Sequence, residues 1–454
     1  MKFNTIKFKK QLSETKNLQK MKKTIYHCCL WPALLKTILL AMLVCVGARG
    51  GAQSWNWALS GGGSGPDFGA NFTIDPSNNI YFGISNWGGI NGTQVVLNSN
   101  VFYNNGSSDF YIAKYNSSGE ELWVKQFGGS FQPIMQTEQF DAITALQYDS
   151  WSNSIIAFGN FVGTCDFGNV SISSTSSDYQ DVFIAKIDLD GNCIWAKHAG
   201  SSDMDRPNSM SVDNEGNIYV CAMLPYSGSF GSFQVQNGGH LAKYDPEGNV
   251  VWVKKIFSNP NPGMSFPLFI GQSKIVNGSL YLTGYNTSST FTIDTITYSK
   301  PGYYGHLIAN FDLLGNIQWL NCIGGPQSTD IIYDIDHDAQ NNIYFAGYFD
   351  GEFATFDTDT IFANNEKVMY VAKYKSTGEK IWIKPINATL GIKGTGVNFG
   401  NDDYLYVTGS FNGIMNLVSF VMSSVSNQDI FILKMDQEGN FIGSDHTNGG
   451  VGYF

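Results

Sequence analysis

Short apolar runs alternate with turn-forming clusters along most of the chain, and no long stretch carries the period of a helix. The clearest instance is residues 181–200, DVFIAKIDLDGNCIWAKHAG. An apolar run containing Ala185 leads to a turn at Asp188 and Gly191, and a second run carries Trp195. Gly191 supplies the positive φ of a tight hairpin loop, and Asp188 is placed to accept the turn's own amides. The same offsets recur at Ala113/Gly119/Trp123, Ala242/Gly248/Trp252, Ala309/Gly315/Trp319 and Ala372/Gly378/Trp382. A sixth copy keeps Gly439 but has Leu433 for the alanine and Gly443 for the tryptophan. The fixed spacing reads as a packing rule in which a small residue on one strand leaves room for an indole on the next.

Counting from Trp57, the docking positions fall at 123, 195, 252, 319, 382 and 443. About 64 residues per repeat accommodate four strands with their turns. A first strand runs between aspartates, as in Asp67/Asp75, Asp141/Asp149, Asp205/Asp213 and Asp330/Asp338. A second begins at Ile80, Ile155, Ile218, Leu280, Ile343 or Leu405. A variable loop then leads to the alanine strand. Open sheets of this kind would expose their edges, so radial closure is expected: an all-β, six-bladed β-propeller of four-stranded antiparallel blades. Trp57 precedes Gly62-Gly63 at the offset by which Trp123 precedes Gly128-Gly129. Residues 54–60 are therefore expected to complete the last blade and close the ring. Trp57, Trp123, Trp195, Trp252, Trp319 and Trp382 form the expected set of docking residues.

The N-terminus departs from this pattern. Met21 opens a basic segment, residues 37–47 (TILLAMLVCVG) are apolar, and Gly50-Gly51-Ala52 offers small residues for cleavage. Residues 1–52 read as a secretory signal with its true start at Met21, and residues 53–454 as one propeller domain. The apolar run is short for a membrane span. The location expected is outside the cell or at its surface, with the periplasm as the alternative. Residues 1–52 hold ten of the 27 basic residues and one of the 38 acidic ones, which leaves the remainder at a formal charge of −20. That balance argues against nucleic acid and anionic membranes as partners. Cys165, Cys193, Cys221 and Cys322 occupy non-equivalent places and read as buried thiols.

The alanine–glycine–tryptophan spacing resembles the docking motif of quinoprotein-like propellers. The whole unit, with its Asp-x-Phe-Ile-Ala-Lys and Gly-Asn-Ile-Tyr segments, more closely resembles the SBBP-type β-propeller repeats of secreted bacterial proteins. That resemblance implies a propeller fold with no assigned chemistry. The adjacent cysteines of quinoprotein dehydrogenases have a counterpart only at Cys28-Cys29, inside the signal, so no quinone cofactor is expected.

Candidate chemistry is sparse. Asp188, Asp213 and Asp245 begin loops like those of EF-hands, but the later ligands are missing and turn chemistry is the simpler reading. The strand-opening Asp67, Asp141, Asp205 and Asp330 either form a partial carboxylate ring at a channel mouth or fix the loops that precede them. A ring would bind Ca²⁺, the one cofactor left open, or a cationic ligand. Trp87 and Trp151 lie outside the docking register and are candidates for stacking on a glycan or anchoring a peptide. The lysines after the alanine position, such as Lys114 and Lys186, read as rim residues covering apolar surface. No nucleophile, Walker or metalloprotease motif is present. The expected function is a monomeric, non-enzymatic binding scaffold for a glycan or protein. The alternatives are an enzyme acting on polysaccharide or peptide through acidic residues at the channel mouth, and a structural segment of a larger adhesin.

Overall fold

The apolar runs become antiparallel strands because aspartates close the turns between them. The structure, a computed structural model, describes residues 61–446 apart from short stretches, the longest being 131–139 and 258–267. In the turn after the first strand, Asp75 Oδ1 accepts the amides of Ser77 and Asn79, while Oδ2 accepts the Asn79 side chain and the Tyr81 hydroxyl. Asp213 and Asp338 repeat this arrangement. Asp188, Asp245, Asp312 and Asp436 close the later hairpin of their repeats in the same way. The oxygens of the EF-hand-like loops are thus engaged by their own turns.

Among the described residues the strands form six antiparallel four-stranded repeats within the compact unit Leu59–Phe454. The first comprises Asp67–Ile74, Ile80–Asn86, Asp109–Tyr115 and Glu121–Gly128. The second comprises Ala142–Asp149, Ser154–Val162, Gln180–Asp188 and Cys193–Gly200. The last comprises Ile392–Phe399, Leu405–Phe411, Asp429–Met435 and Phe441–His446. Central strands such as Val368–Tyr374 are buried along their whole length, because neighbouring sheets cover both faces. Apolar clusters lie between successive sheets. Phe110 of the first repeat stacks on Phe183 of the second, with centroids 5.0 Å apart and planes at 13°.

The tryptophans do dock, but on a different partner from the one expected. Trp195 is the register partner of Lys186, and Ala185 faces Ala196 instead. Strand alternation thus removes the alanine from the indole's face. The ring lies over Gly248, the turn glycine of the next repeat, and Nε1 donates to Pro246 O at 3.2 Å. Trp123 bonds Leu189 O, Trp319 bonds Ser376 O and Trp382 bonds Gln437 O in the same manner. Trp252 covers Gly315, but its buried Nε1 has no hydrogen-bond partner.

The lysines beside them are also not simple rim residues. Lys114, Lys186 and Lys373 are buried, and each donates to a carbonyl of the next repeat's turn. Lys186 and Lys373 also pair with Asp149 and Asp338, at 3.1 and 3.2 Å.

The loop between second and third strands is a hairpin that reaches back to the preceding repeat as a latch. Thr164–Asp166 pairs with Gly128, and Gly228–Phe230 pairs with Ala199 and Gly200. Bridges between Gly324 and Thr355 and between Ala388 and Met415 continue the scheme. In the first repeat the hairpin strand Gln94–Leu97 pairs with Gly61–Gly63. The fourth place of the last sheet is filled by Phe441–His446, with Gly443 opposite Lys434. That sheet therefore has four strands without residues 54–60, which were expected to complete it. Trp57 lies outside the described residues.

Candidate functional site

All six first strands border one cavity of about 850 Å³. Its wall is organised by a register position two residues before the turn aspartate in those repeats that have one. That position holds Thr73, Gln147, Ser211, Lys274, Asp336 and Asn398, a polar residue in each repeat. These side chains link neighbouring repeats. Thr73 Oγ1 accepts the Tyr148 amide, Gln147 Oε1 the Val212 amide, and Asp336 Oδ2 the Phe399 amide. Ser211 meets Ser273 hydroxyl to hydroxyl at 2.8 Å, and Lys274 Nζ lies 3.0 Å from Asp336. The wall is therefore hydroxyl- and amide-rich, and much of that polarity holds the sheets in place. Thr144, Asn208, Gln272 and Thr395 add further polar side chains to it.

The fifth repeat carries the concentrated charge. Asp334 and Asp336 stand on the same face of one strand. Burial pushes the Asp334 carboxyl up to about 6 against the opposing effect of the Val397 and Ile335 amides. Burial acts the same way on Asp336, but His337, Lys274 and the Phe399 amide outweigh it and bring that carboxyl down to about 2. The two carboxyls thus titrate well apart: between about pH 2 and about 6 Asp334 is protonated while Asp336 is ionised, and Asp334 is the one that lines the cavity. Sequence reasoning missed both, although aligning the first strands on their turns would have shown acidic residues at two wall positions.

The structure disposes of the expected site residues differently. Asp141 is buried; its oxygens accept the amides of Gly129 and Val162. Asp205 is buried too, accepting the amide and hydroxyl of Ser201. Neither lines the cavity, and both fix the loop entering their strand, which corrects the channel-ring reading for these two. The backbone of Asp67 pairs with that of Asn86. Asp330 and Trp87 lie outside the described residues. Trp151 is 64% exposed in its turn, with its ring against Gly216 of the next repeat. Cys165, Cys193 and Cys221 are buried free thiols. Among the described residues no group of three or more His, Cys, Asp or Glu is placed to hold a metal ion. Among the same residues no helix is long and apolar enough to cross a membrane.

Antiparallel four-stranded repeats sharing one cavity define a β-propeller repeat protein. No family model matches the chain. An uncharacterized WD repeat-containing protein of Acanthamoeba polyphaga mimivirus is 26% identical over 251 residues, 52% of this chain. The match spans only 14% of that relative's length. The Neurospora crassa Pan2 WD40 domain superposes with a TM-score of 0.42 at 11% identity, covering 83% of this chain and 77% of that one. A protein of unknown function from Bacteroides caccae does so with a TM-score of 0.38 at 10% identity, covering 75% and 92%.

Proposed function

We propose that this chain is a secreted or cell-surface binding scaffold of the kind its SBBP-like repeats suggest, taking a neutral, polar ligand in the shared cavity. The observation that carries this reading is the wall itself: hydroxyl and amide side chains from five of the six repeats around about 850 Å³. That volume falls in the range of small-molecule sites, and such groups suit the hydroxyls of a glycan or the amides of a peptide. Rigid sheets hold these groups in place without ordering cost on binding. The test is calorimetric titration of glycans and short neutral peptides into the full chain and into Asn208→Ala and Thr144→Val. Binding that weakens in the variants at unchanged melting temperature supports the reading. Binding indifferent to both overturns it.

Asp334 and Asp336 favour a second reading. One protonated and one ionised carboxyl is the arrangement that hydrolysis of a glycosidic bond uses. On that reading Asp334 is the proton donor. Turnover of a polysaccharide that Asp334→Asn abolishes while ligand binding persists would select it over the scaffold.

A further inference from the structure

A second cavity, of about 370 Å³, lies between the second and third repeats, away from the shared one. Lys197 and His198 border it from the fourth strand of the second repeat. Ser232 borders it from the tip of the latch hairpin, and Asn249 from the next turn. His198 Nδ1 lies 2.9 Å from Asp181 Oδ2. Asp181 is fully buried, and the same oxygen also accepts the amide and hydroxyl of Thr175, both at 2.8 Å. Asp181 Oδ2 already accepts from Thr175, which places Nδ1 to donate to it and leaves Nε2 as the nitrogen for a ligand. The imidazole is reachable from solvent: the His198 side chain is 39% exposed although its carboxylate partner is not exposed at all.

Tyr244 gives the independent observation. It lines the same cavity, its hydroxyl is buried, and that hydroxyl has no hydrogen-bond partner. Burial holds the phenol in its protonated form, so it stands as an unused donor. An unsatisfied buried hydroxyl is costly to the fold, and a ligand acceptor would recover that cost. Lys197, His198, Asn249 and Tyr244 bring donors to one place. None of the residues lining the cavity is acidic, since Asp181 lies behind the imidazole. Ile172, Ala196 and Val250 supply apolar wall.

We propose that this cavity is a binding site for a small oxyanion, a carboxylate or phosphate on a short apolar body, held by Lys197, His198 and the Tyr244 hydroxyl. An anion on Nε2 and Asp181 on Nδ1 flank the imidazole from both sides, an arrangement that needs the buried carboxylate. The site is distinct from the shared cavity, so its failure leaves the function proposed above untouched.

The test uses the full chain with three probes: inorganic phosphate, phenyl phosphate and benzoate. Calorimetry gives affinities while imidazole NMR follows His198. The expected result is saturable binding of at least one aryl probe, with the His198 resonances moving on titration. His198→Gln and Lys197→Ala are each expected to weaken binding about tenfold or more, and Tyr244→Phe to weaken it while the melting temperature stays level. Preference for phenyl phosphate over benzoate assigns a phosphate ligand, and the reverse a carboxylate. Absence of saturable binding, or binding that none of the three substitutions changes, overturns the proposal.

Discussion

The indole of Trp195 lies across Gly248, 53 residues further along the chain, with ring atoms 3.0 Å from where a Cβ on that glycine would stand. The glycine thus does two jobs at once. Its φ of +81° closes the hairpin, and its bare surface receives the tryptophan of the preceding repeat. Gly278 separates the two, because its φ is +76° and nothing lies within 4 Å of its would-be Cβ. Gly278→Ala should cost about 1–2 kcal/mol, the left-handed backbone penalty alone. Gly248→Ala should cost that plus about 1–3 kcal/mol of overpacking against the ring. Chemical denaturation of the two variants beside the parent measures the difference, and equal costs would show that the indole does not rest on the glycine.

Two of the docking tryptophans differ in one bond. Trp319 Nε1 donates to Ser376 O at 2.9 Å, while the buried Nε1 of Trp252 has no partner. Replacement by phenylalanine removes a made hydrogen bond in the first case and an unsatisfied donor in the second. Trp319→Phe should therefore destabilise by about 1 kcal/mol more than Trp252→Phe. The comparison is made by denaturant midpoints, and the opposite order would contradict it.

Recurrence made the strands, the turns and the alanine–glycine–tryptophan offsets legible in the sequence. The indole's true partner was not, because a spacing within one repeat says nothing about the face that the next repeat presents. Lys186 looked like a rim residue for the same reason: its carbonyl partner belongs to Pro246 of the following repeat. The latch hairpins escaped notice because they pair through backbone, as at Gly128 and Gly200, and strand ends of that kind leave no side-chain signature. The cavity wall was readable in part. Thr73, Gln147 and Ser211 keep one register position polar from repeat to repeat, but the conspicuous aspartates at Asp141 and Asp205 drew attention to the other end of those strands. Their burial against loop amides is a matter of chain direction at the sheet's edge, which alternation alone does not encode.

Asp109 and Asp141 face each other across the boundary between the first and second repeats. Both approach Gly128, whose would-be Cβ stands 3.0 Å from Asp109 Cγ and 3.2 Å from Asp141 Oδ2. Burial raises Asp109 to about 6; burial, with the Asp109 charge adding to it, raises Asp141 to about 8. A carboxyl raised on folding binds its proton more tightly in the native state than in the unfolded one. Its contribution is therefore complete below the ordinary value of 3.8 and is lost as pH rises through about 6 and about 8. Asp336 works the other way, contributing above 3.8 and losing that contribution as pH falls towards about 2. Stability should decline between pH 5 and pH 8.5. Asp109→Asn keeps an acceptor for the Asn105 amide and the Gln126 side chain and removes the charge, so it should flatten that decline. Melting temperatures across the pH range for parent and variant provide the check, and a parent most stable at the alkaline end would refute the assignment.

Two lysines at the same register position make opposite predictions. Lys186 Nζ lies 3.1 Å from Asp149 Oδ2 with both side chains buried, and it donates to Pro246 O, the carbonyl that Trp195 also uses. Lys434 lies closer to its partner, 2.7 Å from Asp402, but both are open to solvent. Distance alone would rank the Lys434 pair first. Solvent reverses the order, because water screens an exposed pair, whereas losing one member of a buried pair strands the other charge. Lys186→Met should cost about 3–5 kcal/mol, most of it from the uncompensated Asp149 carboxylate. Lys186→Met combined with Asp149→Asn should recover much of that loss, since no buried charge is left unpaired. Lys434→Met should move the denaturation midpoint no further than an ordinary surface substitution. A single-variant cost at Lys186 no larger than that at Lys434 would mean that burial gives the Lys186–Asp149 pair no weight beyond that of an exposed one.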